Sequence, residues 1–419
     1  EVLNRVIEKA FRGSAPAQIN VPRDYWTHVI DIELPPIIRF ERQGGGKEAI
    51  DKAAKLLSDA KFPVILSGAG VIIGDAIEDC KKLAEKLDAP VCNGYQHNDS
   101  FPGSHLLAVG PLGYNGSKAA MELISKADLV LALGTRLNPF STLPGYGIDY
   151  WPKEATIIQV DVNPDRIGLT KKVTVGICGD AKMVAQQLLE KLSPNAGDSG
   201  RVNRKNLIHQ TKSSWLQNLT SLDHEDDDPG TVWNKEARER DSDRMSPRQA
   251  WRAIQVGMPD DVIISSDIGN NCAIGNAYPT FEKGRKYLAP GLFGPCGYGF
   301  PSILGAKIGC PDTPVIGFAG DGAFGISMNE MSSCAREEWP AITMVIFRNY
   351  QWGAEKRNSI LWFDDNFIGT ELDPELSYAK VANACGLKGV TVKTMEETTK
   401  NIKQSCEDQK QGITTFIEV

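Results

Sequence analysis

Pro314-Val315-Ile316-Gly317-Phe318-Ala319-Gly320-Asp321-Gly322 and Ile342-Thr343-Met344-Val345-Ile346-Phe347-Arg348-Asn349-Tyr350-Gln351 decide the fold of this chain. Each is a short apolar run that ends in a polar turn. That is the pattern of a strand buried on both faces of a parallel sheet. Asn349 follows Gly320-Asp321-Gly322 after 26 residues. The layout puts one carboxylate and one amide oxygen at the C-terminal ends of two parallel strands, where open α/β sheets bind ligands. One carboxylate with neutral oxygens suits a Mg2+ whose remaining ligands are phosphate oxygens. The glycines let backbone N–H groups come close to those phosphates. Gly-Asp-Gly alone also fits a tight strand-to-helix turn with no ligand. The Asn at the end of a second strand favours the site.

The rest of the chain sets bounds. Its 419 residues predict two or three domains with separate cores. Apolar content of 41% and charged content of 24% are those of an ordinary globular protein. A net charge of −7 argues against a nucleic-acid or anionic-membrane surface. No apolar stretch reaches membrane-spanning length, and the polar, helical start does not read as a signal peptide. Nine cysteines without a Cys-x-x-Cys read as reduced thiols, which predicts a cytoplasmic protein. The five histidines lack zinc-ligand spacing.

Two alternating α/β segments follow from the pattern, so the fold class is α/β with two doubly wound parallel sheets. Residues 46–192 form the first, with strands at Pro63–Ser67, Ala89–Cys92, Asp128–Leu133 and Thr156–Val160. Residues 246–419 form the second, opened by Ser246-Pro247 as N-cap and first helical residue. Its strands are Val262–Ser265, Pro314–Ala319, Ile342–Phe347 and Ile413–Ile417. Residues 1–25 read as a helix and a short strand, Ala17–Val21, at the end of a preceding domain. Residues 26–45 hold Pro35-Pro36 and Gly44-Gly45-Gly46 and read as a linker. Residues 193–245 read as a second linker with one helix, Asn203–Leu222, and an acidic surface loop, Asp223–Gly230.

The second segment carries three glycine-rich turns: Asp267-Ile268-Gly269-Asn270-Asn271, Gly294 to Gly299, and Gly320-Asp321-Gly322-Ala323-Phe324. On these turns and Asn349 the chain resembles the pyruvate-oxidase-like and acetolactate-synthase-like enzymes that use thiamine diphosphate. The resemblance implies that Asp321 and Asn349 bind Mg2+ through their side chains and Gln351 through its backbone carbonyl. It implies diphosphate contacts from Gly269, Asn270 and Asn271. Pro295 and Cys296 would lie against the thiamine, and Gly320, Asp321, Gly322, Ala323 and Phe324 would hold phosphate and metal. Cys296 stands where many relatives have Met, which a backbone contact tolerates. A nucleophilic Cys296 lacks a His partner in this segment. Asn270-Asn271 replaces a frequent Gln-His pair, so the acid–base residues stay unassigned.

Asn349-Tyr350-Gln351-Trp352-Gly353-Ala354-Glu355-Lys356-Arg357 and Phe293-Gly294-Pro295-Cys296-Gly297-Tyr298-Gly299-Phe300-Pro301 narrow the resemblance. They are similar to the branch that transfers the acetyl unit of sulfoacetaldehyde to phosphate and releases sulfite. Leu133-Gly134-Thr135-Arg136 and Val160-Asp161-Val162-Asn163-Pro164-Asp165 resemble the central domain of the same superfamily. Lys356 and Arg357 are candidates for binding an anionic substrate, or else surface charges of a helix. The alternatives are an acetolactate-synthase-like carboligase, a 2-oxo acid decarboxylase, or a non-catalytic nucleotide-binding module. For the last, Gly68-Ala69-Gly70 is a lone Gly-x-Gly, and a structural role is favoured. The resemblance also implies a homodimer or homotetramer and a cofactor-activating Glu from a pyrimidine-binding domain. That domain is expected to be mostly absent from these residues, which alone would turn over little.

Overall fold

The computed structural model describes residues 2–13, 15–33, 41–196, 201–221, 245–291, 293–364 and 366–419. The acidic run Asp223–Gly230 and Pro35-Pro36 lie outside the described residues. The described residues form two six-stranded parallel sheets, with strand orders β3-β2-β1-β4-β5-β6 and β11-β12-β10-β9-β7-β8.

The first sheet comprises β1 (Pro63–Ser67), β2 (Val91–Asn93), β3 (Ala108–Pro111), β4 (Leu129–Leu133), β5 (Thr156–Asp161) and β6 (Val175–Cys178). Every residue of β1 and β4 is buried, which is why both read as continuous apolar runs. The second comprises β7 (Ile263–Ser266), β8 (Tyr287–Leu288), β9 (Val315–Gly320), β10 (Thr343–Phe347), β11 (Lys388–Thr391) and β12 (Thr415–Glu418). Here period-2 alternation sorts residues into two cores. Val315, Ala319, Met344, Ile346 and Phe416 pack on one face with Phe300 and Phe324. Ile316, Phe318, Val345 and Ile417 pack on the other with Trp251 and Tyr278.

By chain contacts the molecule divides into two compact units. One holds Glu1–Ala89, Ala127–Asn138 and Pro152–Arg201; the other holds Pro90–Lys126, Pro139–Trp151 and Val202–Val419. The residues 90–126 join the second unit through Asn276, which is fully buried. Its Oδ1 accepts from the Gln96 amide at 3.1 Å. Its Nδ2 faces the Leu112 carbonyl at 3.4 Å, and its own carbonyl accepts from Asn98 Nδ2 at 2.9 Å.

The helix Pro247–Gly257 starts as its sequence dictates, with a Ser246–Gln249 capping box and Pro247 at the first position. The helix of the second linker spans Arg201–Ser221 and buries Ile208 and Trp215. The expected strand Ala17–Val21 does not form. That stretch is exposed and irregular, with no neighbouring strand among the described residues to complete its hydrogen bonds. Among the described residues no helix is long and apolar enough to cross a membrane.

Candidate cofactor site

The second sheet reverses its strand order between β7 and β9: the chain leaves β7 for β8 on one side and returns to β9 on the other. The C-terminal ends at such a reversal form a crevice. Parallel pairing sets Phe347 opposite Gly320, so the Asp321 and Asn349 turns leave adjacent strands side by side.

Asp321 is 2% exposed. Its Oδ2 accepts from the Tyr350 amide at 2.7 Å and its Oδ1 from the Gly322 amide at 3.0 Å. Burial pushes its carboxyl up to about 6 despite those bonds and the nearby Arg348. The Tyr378 hydroxyl donates to the Asp321 carbonyl at 2.9 Å. Tyr350 has a φ of +59°, the left-handed turn that swings the chain from Asn349 to Gln351. Asn349 Oδ1 accepts from the Gln351 amide at 3.3 Å, and Gln351 is buried.

Close packing at glycines brings the remaining turns together. A Cβ on Gly353 would lie 2.6 Å from Asn349 Nδ2 and 3.2 Å from Asn270 Nδ2. A Cβ on Gly322 would lie 2.8 Å from the Trp352 ring. Asn271 Oδ1 is 3.2 Å from a Cβ built on Gly269 and 3.7 Å from one on Gly320, so its amide sits between the first and third turns. Gly269 itself has a φ of +129°, which favours glycine.

Asp267 fastens the second turn. Its Oδ1 accepts from the amides of Ile268 at 2.8 Å and Gly297 at 3.1 Å, and its Oδ2 from Gly299 at 2.7 Å. Burial raises its carboxyl above the ordinary range against these bonds. Ser327 Oγ donates to the Gly297 carbonyl at 3.0 Å, which links this turn to the helix that Asp321 begins. Cys296 is exposed, and desolvation, then Asp267 and Glu355, raise its thiol. That keeps it protonated, the reverse of what a nucleophile needs.

The residues present fit a metal-bound diphosphate. A buried carboxylate with its pKa raised by desolvation gains from a cation. Among the described residues Asn271 Nδ2 is a buried donor without a hydrogen-bond partner, on the side chain whose Oδ1 lies between two glycine turns, and an acceptor anion would satisfy it. Ala323 and Phe324 are buried in the helix after Asp321 and serve the core; Phe324 packs on Phe300 at 5.3 Å between ring centroids. Pro295 is exposed beside Cys296.

Lys356 and Arg357 sit on the helix Gly353–Trp362 with different partners. Lys356 pairs with Glu371 and lies 4.7 Å from the Phe367 ring centroid. Arg357 donates to the Tyr114 hydroxyl. Sequence reasoning missed Asp267 as the clamp of the second turn and Arg348, which pairs with Glu418 behind Asn349. Asp267 carries a faint signal, a carboxylate at a strand end before glycine; Arg348 carries none.

In the first sheet, Gly68 and Gly70 answer a packing need. A Cβ on either would fall 2.6 Å from the backbone of Gly134 or the neighbouring Thr135. The turn is filled by the end of β4, which accounts for both glycines structurally.

Comparison with known proteins matches residues 50–188 to the thiamine pyrophosphate enzyme, central domain. Residues 267–419 match the thiamine pyrophosphate enzyme, C-terminal TPP binding domain. A probable sulfoacetaldehyde acetyltransferase of Rhizobium meliloti (strain 1021) is 76% identical over 419 residues, covering 100% of this chain and 71% of the relative. A sulfoacetaldehyde acetyltransferase of Roseovarius nubinhibens is 72% identical over 418 residues, covering 100% of this chain and 69% of the relative. More distant is a probable acetolactate synthase large subunit of Methanococcus aeolicus, 28% identical over 419 residues, covering 97% of this chain and 67% of the relative.

Proposed function

This chain belongs to the thiamine pyrophosphate enzymes, in the family of the sulfoacetaldehyde acetyltransferases, and from that premise we propose that it converts sulfoacetaldehyde and phosphate to acetyl phosphate and sulfite. When bound, thiamine diphosphate supplies the carbanion that makes the aldehyde carbon react. The chain's own residues bind and orient. Asp321 and Asn349 hold Mg2+ through side-chain oxygens, and Gln351 through its carbonyl. Gly269, Asn270, Asn271, Gly320 and Gly322 take the diphosphate, and Pro295 and Cys296 lie along the thiamine. Ala323 and Phe324 hold the third turn against the core. Arg357 and Lys356, on the helix that follows the Asn349 turn, are the cations proposed for an anionic substrate.

One observation carries the reading: the buried Asp321 carboxylate is held by the amide of Tyr350, next to Asn349, at the sheet's reversal point. The domain limits we propose are 46–192 and 246–419, with 1–25 as the tail of a further domain and 26–45 and 193–245 as linkers. A homodimer or homotetramer in the cytoplasm, with neither nucleic acid nor membrane as partner, completes the proposal.

The test is a product assay on the whole protein with sulfoacetaldehyde, phosphate, thiamine diphosphate and Mg2+. Stoichiometric sulfite and acetyl phosphate are expected. Release of CO2 from pyruvate, with no sulfite from sulfoacetaldehyde, would move the assignment to a decarboxylase or carboligase.

A further inference from the structure

We propose that Arg357 and Tyr114 together form the subsite for a tetrahedral oxyanion of this reaction, either the sulfonate of the substrate or the phosphate acceptor; the inference rests on the acetyl-transfer reading above. The two adjacent cations are not equivalent. Lys356 has a counter-charge in Glu371 and an aromatic face in Phe367. Arg357 has a phenol. Its guanidinium is 6.0 Å from the Tyr114 ring centroid and donates to the Tyr114 hydroxyl. No ion pair joins it to a carboxylate among the described residues.

A guanidinium has five N–H donors, and a neutral phenol occupies one of them. Arg357 is half-buried, and a partly desolvated cation facing only a phenol is poorly compensated. An arriving oxyanion supplies both the charge and the acceptors. The fork of a guanidinium matches two oxygens of such a group, which a lysine ammonium cannot do.

The placement is suitable. Gly353 and Arg357 are four residues apart in one helix and so share a face. Gly353 packs on the amides of Asn349 and Asn270. Tyr114 is fixed from the other side, with Asn276 Nδ2 facing its carbonyl at 3.5 Å. Asn276 closes the helix Asn270–Gly275, which Gly269 begins. Arg357 therefore stands one helical turn from Gly353, which packs on the amide of the proposed metal ligand Asn349, and against a tyrosine tied to the element that carries Asn270 and Asn271.

The experiment is steady-state kinetics of the whole protein with thiamine diphosphate and Mg2+, varying sulfoacetaldehyde and phosphate in turn. Arg357→Met is expected to raise one KM by at least about tenfold. A rise for sulfoacetaldehyde names the sulfonate, a rise for phosphate names the acceptor, and a rise in both places the two in one subsite. Arg357→Lys recovers part of the loss and confirms that the fold is intact. Tyr114→Phe moves the same KM by a smaller factor, and Lys356→Met moves it less than Arg357→Met does. Unchanged KM values for both substrates in Arg357→Met overturn the proposal. Should the unaltered protein not cleave sulfoacetaldehyde, the acetyl-transfer reading fails by itself. Calorimetry with inorganic phosphate and with ethanesulfonate then decides the subsite: binding lost in Arg357→Met supports it, and binding absent or unaffected overturns it.

Discussion

The Asp321 carboxylate accepts the backbone N–H of Tyr350 at 2.7 Å, so the turn that carries Asn349 is held by the side chain beside it in space. One oxygen of Asp321 thus shapes the neighbouring turn, and the carboxylate still carries its charge. Asp321→Ala removes both. Thiamine diphosphate binding in the presence of Mg2+, followed by tryptophan fluorescence, is expected to weaken by roughly 10- to 100-fold. Unchanged binding would remove Asp321 from the metal site.

Gly353→Ala separates the site from the stability of the fold. The added methyl would meet Asn349 Nδ2 at 2.6 Å and must turn that amide aside. Alanine is otherwise the better helix residue, though by less than the ~1 kcal/mol of a helix interior because Gly353 is the first residue of its helix. The expected result is a Tm equal to or above that of the parent with weaker Mg2+-dependent cofactor binding, read by differential scanning calorimetry and titration.

The ion pair of Arg348 and Glu418 is buried, with side chains 7% and 6% exposed. Glu418 also accepts from Ser377 Oγ and the Ala379 amide, each at 2.9 Å. Arg348 in turn lies 4.4 Å from the Tyr350 ring centroid. Breaking one side of such a pair costs about 3–5 kcal/mol. Glu418→Gln is expected to lower urea stability by an amount near the bottom of that range. The same change made in an Arg348→Met background is expected to cost less, because the stranded charge is already gone.

A pH effect belongs to the helix Met395–Gln409. Its Glu397 accepts the amides of Lys393 at 2.9 Å and Thr394 at 3.3 Å. The bond from Lys393 is the main cause that holds its carboxyl below the ordinary value. An unfolded Glu titrates near about 4.3. The stabilising contribution is therefore present above that pH and is lost as pH falls through the lower folded value. Between about pH 5 and pH 3 the Tm of the parent is expected to fall more steeply than that of Glu397→Gln. Parallel curves would show that the cap does not titrate.

Much of the fold was legible because parallel strands covered on both faces need unbroken apolar runs, and β4, β9 and β10 have them. The turns that end β9 and β10 were legible for the same reason, since polar residues stand out where an apolar run stops. What stayed hidden depends on partners distant in sequence. Asp267 meets Gly297 and Gly299 across a helix and an edge strand, Arg348 meets Glu418, and Arg357 meets Tyr114. No local spacing encodes those meetings. The strand expected at Ala17–Val21 failed for a related reason: propensity proposes a strand, and only a neighbour can complete one.

Asn276 ties the backbone of Gln96 and of Leu112 with its side-chain amide, and the side chain of Asn98 with its own carbonyl. Amide hydrogens held this way exchange with solvent only when the whole knot loosens. Gln96 N–H and the end of the helix Asn270–Gly275 are thus parts of one opening event. The segment 90–126 and the turn beginning at Gly269 should unfold together, so a ligand that quiets one would slow deuterium uptake in the other.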